Sequence, residues 1–442
     1  MILTLIILFV IGYLLIAFEH TLNINKATFA MLLCGVLWSV YVAMGGAVSH
    51  MDLVEHLGDT CEIVVFLICA MTIVEHIDRY GGFNFITEHI NAGNKKQLMW
   101  ILASLSFIMS AVLDNMTTTI IMVMMTRRLL SDQKERWLFA GVIVVAANSG
   151  GAWSPIGDVT TIMLWMADKV TTSSLILNLV VPSIVSVVIP VFIASHWVKE
   201  GTIMKTKSSN VVANELAETY PNLSKWMLVL GVSALLFVPL FKTLTGLPPF
   251  MGMIISLGFV WLVTEIIVNR LHIDKKLGGR VSHTVRKIDM PSILFFLGIL
   301  MAVAALQQAG VLTMVADGMN THLHEPFAMA TIIGFLSSIV DNVPLVAACI
   351  KMFANVDAIA VVDPVYARYF IEDGLFWHLL TFTAGVGGSL LIIGSAAGVV
   401  AMGIEKIPFF WYLKRISFIA LLGYLAGIGV IALEYYFMPF LQ

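Results

Sequence analysis

Residues 174–196, SLILNLVVPSIVSVVIPVFIASH, contain no Asp, Glu, Lys or Arg. A helix of about 20 apolar residues crosses a bilayer core, and runs of this kind recur along the whole chain. Lipid offers the backbone no hydrogen-bond partner, so each spanning run is expected to satisfy its own peptide groups as a helix. Composition agrees. The 442 residues are 59% hydrophobic and 12% charged, with a mean hydropathy of +0.93, against about 25% charged in soluble domains. The chain therefore reads as an all-α polytopic membrane protein surrounded by lipid. The net charge of −3 gives no reason to expect nucleic acid as a partner. Cys34, Cys61, Cys69 and Cys349 form no C-x-x-C pair and lie in apolar runs, so they read as reduced structural thiols. The first run, Ile2 to Phe18, lacks a basic leader and a small-residue cleavage site, and is expected to be the first membrane helix.

Ten full crossings are expected, at about 1–18, 27–48, 60–77, 137–165, 174–196, 225–242, 248–268, 291–309, 373–403 and 416–438. Two further apolar regions, 97–126 and 327–354, are long for one crossing and short for two. Each is interrupted by polar residues, Asp114-Asn115 in one and Asp341-Asn342 in the other. A re-entrant helical hairpin with Asp-Asn at its tip fits both, since irregular backbone at membrane depth is tolerated only inside protein or beside a wet cavity. This layout places all but four of the 25 Lys and Arg residues on one face. Cytoplasmic loops carry the Lys/Arg excess, so that face is expected to be cytoplasmic, with both termini outside and the chain in the cell's inner (plasma) membrane.

The chain also repeats itself. FIMSAVLDN (107–115) resembles FLSSIVDN (335–342), with Ser110 matching Ser337. A glycine-rich element follows each: ANSGGAWSPIGDVTT (147–161) and AGVGGSLLIIGSAAG (384–398), both with G-G-x5-G. Residues 1–196 and 225–438 are therefore expected to be two copies, joined by a cytoplasmic linker at 197–224. Each copy has five crossings, including a glycine-broken helix, plus one hairpin. Five is odd, so the second copy is inverted. Inverted repeats with helices interrupted at matching positions point to a secondary transporter with its site near the midplane.

Asp114, Asp158 and Asp341 are carboxylates inside apolar segments, each costing about 2.5–3.5 kcal/mol on insertion scales. Helix capping would explain an oxygen there, but a serine caps without a charge. A hard cation explains the charge, because it takes carboxylate, amide, hydroxyl and freed backbone oxygens. The first half offers Ser110, Asp114, Asn115, Thr117, Asn148, Ser149, Asp158, Thr160 and Thr161. The second offers Ser337, Asp341, Asn342, Ser389 and Ser395. Asp114, Asn115, Asp158, Asp341 and Asn342 are the expected direct ligands. No His and Cys cluster accompanies them, which favours sodium or lithium over a transition metal, and no bound cofactor is expected. Burial favours a protonated carboxylate and a cation favours the ionised one, so one site can trade a cation for a proton. Glu62, near the outer end of its helix, reads as a funnel or proton relay. Glu75 reads as a headgroup-level charge.

At SAVLDNMTTT, ANSGGAWSPIGDVTT, SSIVDNVPL and GVGGSLLIIGSAAG the chain resembles the NhaD-type sodium/proton antiporters of the ion transporter superfamily. That resemblance implies antiport of sodium or lithium against protons, the ion-site residues named above, and a homodimer. Dicarboxylate transporters of the same superfamily are similar in layout, so anion transport, including arsenite export, is the alternative. Their hairpin tips carry neutral Ser-Asn-Thr, whereas a fixed anion at each tip here should repel a carboxylate substrate. An intramembrane aspartyl protease is a remote alternative, since it too uses two membrane aspartates as an acid/base pair.

Overall fold

A computed structural model describes residues 1–17, 22, 24–82, 92–198, 221–271, 280–323, 325–339, 342–353 and 363–437. All regular structure among them is helical. The first half contains α1 (Ile2–Ala17), α2 (Lys26–Ala43), α3 (His50–Arg79), α4 (Lys95–Leu113), α5 (Asn115–Leu129), α6 (Gln133–Ala152), α7 (Val159–Met166) and α8 (Thr172–Ser195). The second contains α9 (Pro221–Thr245), α10 (Pro249–Leu271), α11 (Met290–Gln308), α12 (Val311–His322), α13 (Pro326–Ser337), α14 (Asn342–Met352), α15 (Leu375–Gly387), α16 (Ala396–Glu405), α17 (Phe409–Arg415) and α18 (Ser417–Phe437).

Polar side chains set the helix starts. Asn25, Asn94 and Asp132 accept bonds from the backbone N–H groups of Ala27, Gln97 and Glu135 at 2.9, 2.8 and 2.9 Å, satisfying donors that a helix leaves open. A reciprocal box between Ser49 and Asp52 starts α3 at His50, well before the expected position 60. Helix α12, which follows the left-handed Gly310 (φ +75°), has no counterpart among the expected elements.

Eight of the described helices are long and apolar enough to cross a membrane on their own. Seven are expected crossings, and the eighth, α4, is the first arm of the region 97–126. The other three expected crossings are the short α1 and two broken helices, α6–α7 and α15–α16. A ninth span results if α16 and α17, bent by 116° at their junction, count as one.

The packing partners come in matching couples. Helix α4 packs on α6 and α13 on α15; α5 packs on α16 and α14 on α7; α2 packs on α11 and α10 on α3. Glycine permits two of the closest approaches. A Cβ at Gly150 would overlap the Phe107 carbonyl, and one at Gly387 would overlap the Gly334 carbonyl. Helices α1–α3 and α9–α11 form one group and the glycine-broken helices lie in the other, with α11 and α14 touching between them.

Ion pairs gather four helix ends together. Lys95 at the start of α4 binds Glu135 at the start of α6, at 2.7 Å. Glu405, the last residue of α16, is 1% exposed and holds Arg127 near the end of α5 at 2.7 Å and Arg136 on α6 at 3.0 Å. The start of α4 and the end of α5 thus lie at the same end of α6.

Candidate functional site

The break between α4 and α5 is a single residue. Asp114 ends one helix and caps the next, with φ +99° and ψ 158°. That backbone region is almost reserved for glycine, and holding another residue there costs about 1–3 kcal/mol. The Asp114 carboxylate stays on its own helix. Oδ1 accepts from the Thr117 N–H and Oδ2 from the Thr117 hydroxyl, each at 2.8 Å. The strained turn brings the next residue, Asn115, into a buried polar cluster.

That cluster draws on five helix ends, those of α5, α6, α7, α15 and α16. The Asn115 Nδ2 donates to Asp158 Oδ2 at 2.5 Å and to Asn148 Oδ1 at 3.1 Å. The Asn148 Nδ2 donates to the hydroxyls of Ser389 and Ser395 at 3.1 and 2.9 Å. Asp158 caps α7, where its Oδ1 accepts from both the backbone and the hydroxyl of Thr160 at 3.0 Å. The Thr161 hydroxyl donates to the Asp158 carbonyl at 2.7 Å and accepts from the Asp158 N–H at 3.2 Å. Ser395 caps α16 by accepting from the Gly398 N–H at 3.2 Å. Asn115, Asn148, Asp158, Ser389 and Ser395 are all buried. The N-termini of α5, α7 and α16 therefore meet around one carboxylate and two amides, and oriented helix starts carry partial positive charge.

Ser110 and Ser337 are placed differently. The Ser110 hydroxyl donates to the Ala147 carbonyl at 2.6 Å, and the Ser337 hydroxyl donates to the Ala384 carbonyl at 2.9 Å. Each ties one arm of a polar-tipped region to the broken helix beside it. Ser149 lies to the side, accepting from Ser186 at 2.9 Å. Asn342 is buried at the start of α14, and Asp341 lies outside the described residues.

A family model described as citrate transporter matches residues 6–370. The chain is 40% identical over 428 residues to sodium/proton antiporter 2 of Arabidopsis thaliana, covering 96% of this chain and 97% of that one. It is 30% identical over 453 residues to Na(+)/H(+) antiporter NhaD of Vibrio cholerae, covering 96% and 89%. It is also 30% identical to Na(+)/H(+) antiporter NhaD of Vibrio parahaemolyticus, covering 90% and 98%. The chain belongs to the NhaD-type sodium/proton antiporter family. These relatives are named as antiporters, and the chain is accordingly a transporter and not an enzyme.

In this NhaD-type chain Glu62 stands apart from the cluster. It lines a cavity of about 200 Å³ with His56, Asp59, Met163, Ala304 and Lys351, and Lys351 pairs with Asp59 at 2.8 Å. Several polar groups around the site escaped the sequence pattern. The Ser154 hydroxyl donates to the Ala111 carbonyl at 2.5 Å, and the Tyr412 hydroxyl donates to the Ser389 carbonyl at 2.8 Å. Thr118 and Thr119, just past the α5 start, are fully buried, and neither hydroxyl has a hydrogen-bond partner among the described residues. The run MTTT was the available signal for those two. Nothing local marks Ser154 or Tyr412.

Proposed function

We propose that this chain is a secondary active antiporter that exchanges sodium or lithium for protons at a carboxylate site near the membrane midplane. The observation that carries this reading is the chain of bonds from Asp158 through Asn115 and Asn148 to Ser389 and Ser395. It gathers oxygens of the kind a hard monovalent cation binds. A cation arriving at Asp158 displaces the Asn115 donor and gains amide and hydroxyl oxygens nearby. A proton on Asp158 removes the charge that holds the cation. The two cargoes then compete for one site, which suffices for exchange. Asp114, Thr117, Thr160 and Thr161 shape the site through the two caps. Asp341 and Asn342 are assigned to it from the sequence pattern, and Glu62 is assigned to proton relay in its cavity.

An inverted repeat, 1–196 and 225–438 around the linker 197–224, underlies this site. Its support is the doubled bonding: Ser110 to Ala147 and Ser337 to Ala384, and Asp158 and Ser395 capping matching half-helices. A re-entrant hairpin at α4–α5 is supported by Lys95 and Arg127, which anchor the start of α4 and the end of α5 at one end of α6. The basic face is assigned to the cytoplasm, the termini to the outside, and the whole to the plasma membrane as a homodimer.

The citrate transporter description of the family model favours a second reading, carriage of a carboxylate anion. Two fixed carboxylates, Asp114 and Asp158, at or beside the site weigh against it. Purified protein in vesicles with an imposed proton gradient separates the two. Sodium or lithium should collapse the gradient, with potassium and succinate far less effective. A response to succinate with none to sodium overturns antiport.

A further inference from the structure

A crevice of about 150 Å³ runs beside the first turns of α5 and α16. Lys26, Asp289 and Ser292 line it, together with Met116, Ala396 and Val400. At about 30 Å³ per water it has room for several waters. Met116 directly follows Asn115, and Ala396 directly follows Ser395, so this set of residues borders the polar cluster. Lys26 and Asp289 stand at the starts of α2 and α11, with Arg286 and Lys287 just before Asp289.

The depth follows from helix length. Helix α16 has ten residues, about 15 Å at 1.5 Å per residue. It ends at Glu405 among Arg127 and Arg136. Its start at Ser395 thus lies about half of a ~30 Å core away from that end. The crevice lies alongside this half-depth, on the boundary between the α2–α11 pair and the α5–α16 pair. The cavity that contains Glu62 lies farther along α11, at Leu300 and Ala304, and touches α7 at Met163 and Met166, beyond its first turn.

We infer that the crevice between α2–α11 and α5–α16 is the route by which hydrated monovalent cations and protons pass between the basic face and the polar cluster. Asp289 is the carboxylate at its mouth. It caps α11, with Oδ1 accepting from the Ser292 N–H at 3.3 Å and Oδ2 accepting from the Ser292 hydroxyl. Lys26 opposite is held with its Nζ 4.2 Å from the centre of the Phe295 ring. The inference rests on the ion-site reading above and adds the path and its side.

The test uses the full chain with its four cysteines replaced by alanine, carrying either Ala396→Cys or Val400→Cys. An impermeant cationic thiol reagent is applied to inside-out and right-side-out vesicles. Modification is expected from the inside-out preparation alone, with sodium slowing it at Ala396→Cys. Modification from the opposite face alone, or from neither face while the unfolded protein reacts, overturns the route. Asp289→Asn keeps the cap, since Asn caps about as well as Asp. It should raise the half-saturating sodium on that face about threefold, the scale of one partly screened charge, with the maximal rate retained. An unchanged half-saturation removes Asp289 from the route. Failure of the ion-site reading is distinguishable, because the cysteine-free parent would then move no protons in response to sodium whatever the labelling shows.

Discussion

The side-chain nitrogen of Asn148 lies 2.9 Å from the Ser395 hydroxyl, although 247 residues separate them in sequence. Its other hydrogen points to Ser389, and its oxygen accepts from Asn115. These three bonds join the end of α6 to the starts of α5 and α16 and to Ser389 beside the end of α15. Bonds in such a network polarise one another and are worth more than their separate deletions suggest. On the proposed reading, an ion that takes Asp158 from Asn115 shifts a donor that also holds Asn148, and through it the start of α16.

Asp158→Asn keeps the cap on α7 and removes the charge. Sodium-driven proton movement in vesicles should be lost while expression and elution in detergent stay normal. Ser395→Ala removes a neutral oxygen, so it should raise the half-saturating sodium several-fold and leave the maximal rate largely intact. Equal effects of the two changes would mean that charge is not what the site requires.

Asp114 combines a cap with a backbone that suits glycine. Asp114→Gly loses a capping oxygen, worth only a few tenths of a kcal/mol when glycine replaces it, and relieves about 1–3 kcal/mol of strain. Its melting temperature should be equal to or above that of the parent, with exchange abolished. Asp114→Asn keeps both the cap and the strain, and should also fail to exchange. Parental rates in Asp114→Asn would reduce the residue to a helix cap.

Glu405 is a buried carboxylate between two arginines. Breaking a buried pair by removing one member costs about 3–5 kcal/mol. Arg127 is 44% exposed and Arg136 is 18% exposed, so solvent screens the first more than the second. Arg136→Gln should therefore lower the melting temperature more than Arg127→Gln, and Glu405→Gln more than Arg127→Gln. Thermal melts in detergent decide the order, and the reverse ranking of the two arginines would refute it.

Gly150 and Gly387 occupy matching close approaches, to Phe107 and to Gly334. Alanine at either forces two backbones apart, and overpacking of this kind costs about 1–3 kcal/mol. Both variants should melt earlier by similar amounts. Gly258→Ala, with open space around its Cβ position, should not. A harmless Gly387→Ala beside a damaging Gly150→Ala would count against the proposed repeat.

Much of this molecule is legible in its sequence. The polar breaks at Asp114 and in 153–158 appear where carboxylates and glycines interrupt apolar runs, because lipid leaves few other places for such residues. The resemblance at those same stretches led to the right family. Helix α12 and the early start of α3 were not legible. One follows from a left-handed glycine and the other from a two-residue capping box, both too local to show in an apolar run. Ser110 and Ser337 were expected at the ion site, and each hydroxyl donates to a neighbouring carbonyl, which leaves its oxygen lone pairs open. Which carbonyl a membrane serine donates to depends on the helix packed beside it and does not show in the sequence.

The sequence by itself determined the membrane class, the apolar spans and the carboxylates and amides placed at their breaks. Hydropathy and the cost of burying charge act residue by residue, and they can be summed along a chain. Only the tertiary structure decided that Asn148 bridges Asn115 to Ser389 and Ser395, and that Glu405 clamps Arg127 and Arg136. These bonds span 33 to 278 residues. A hydrogen bond forms within about 3 Å and in a narrow range of directions, and those are set by how broken helices pack against one another.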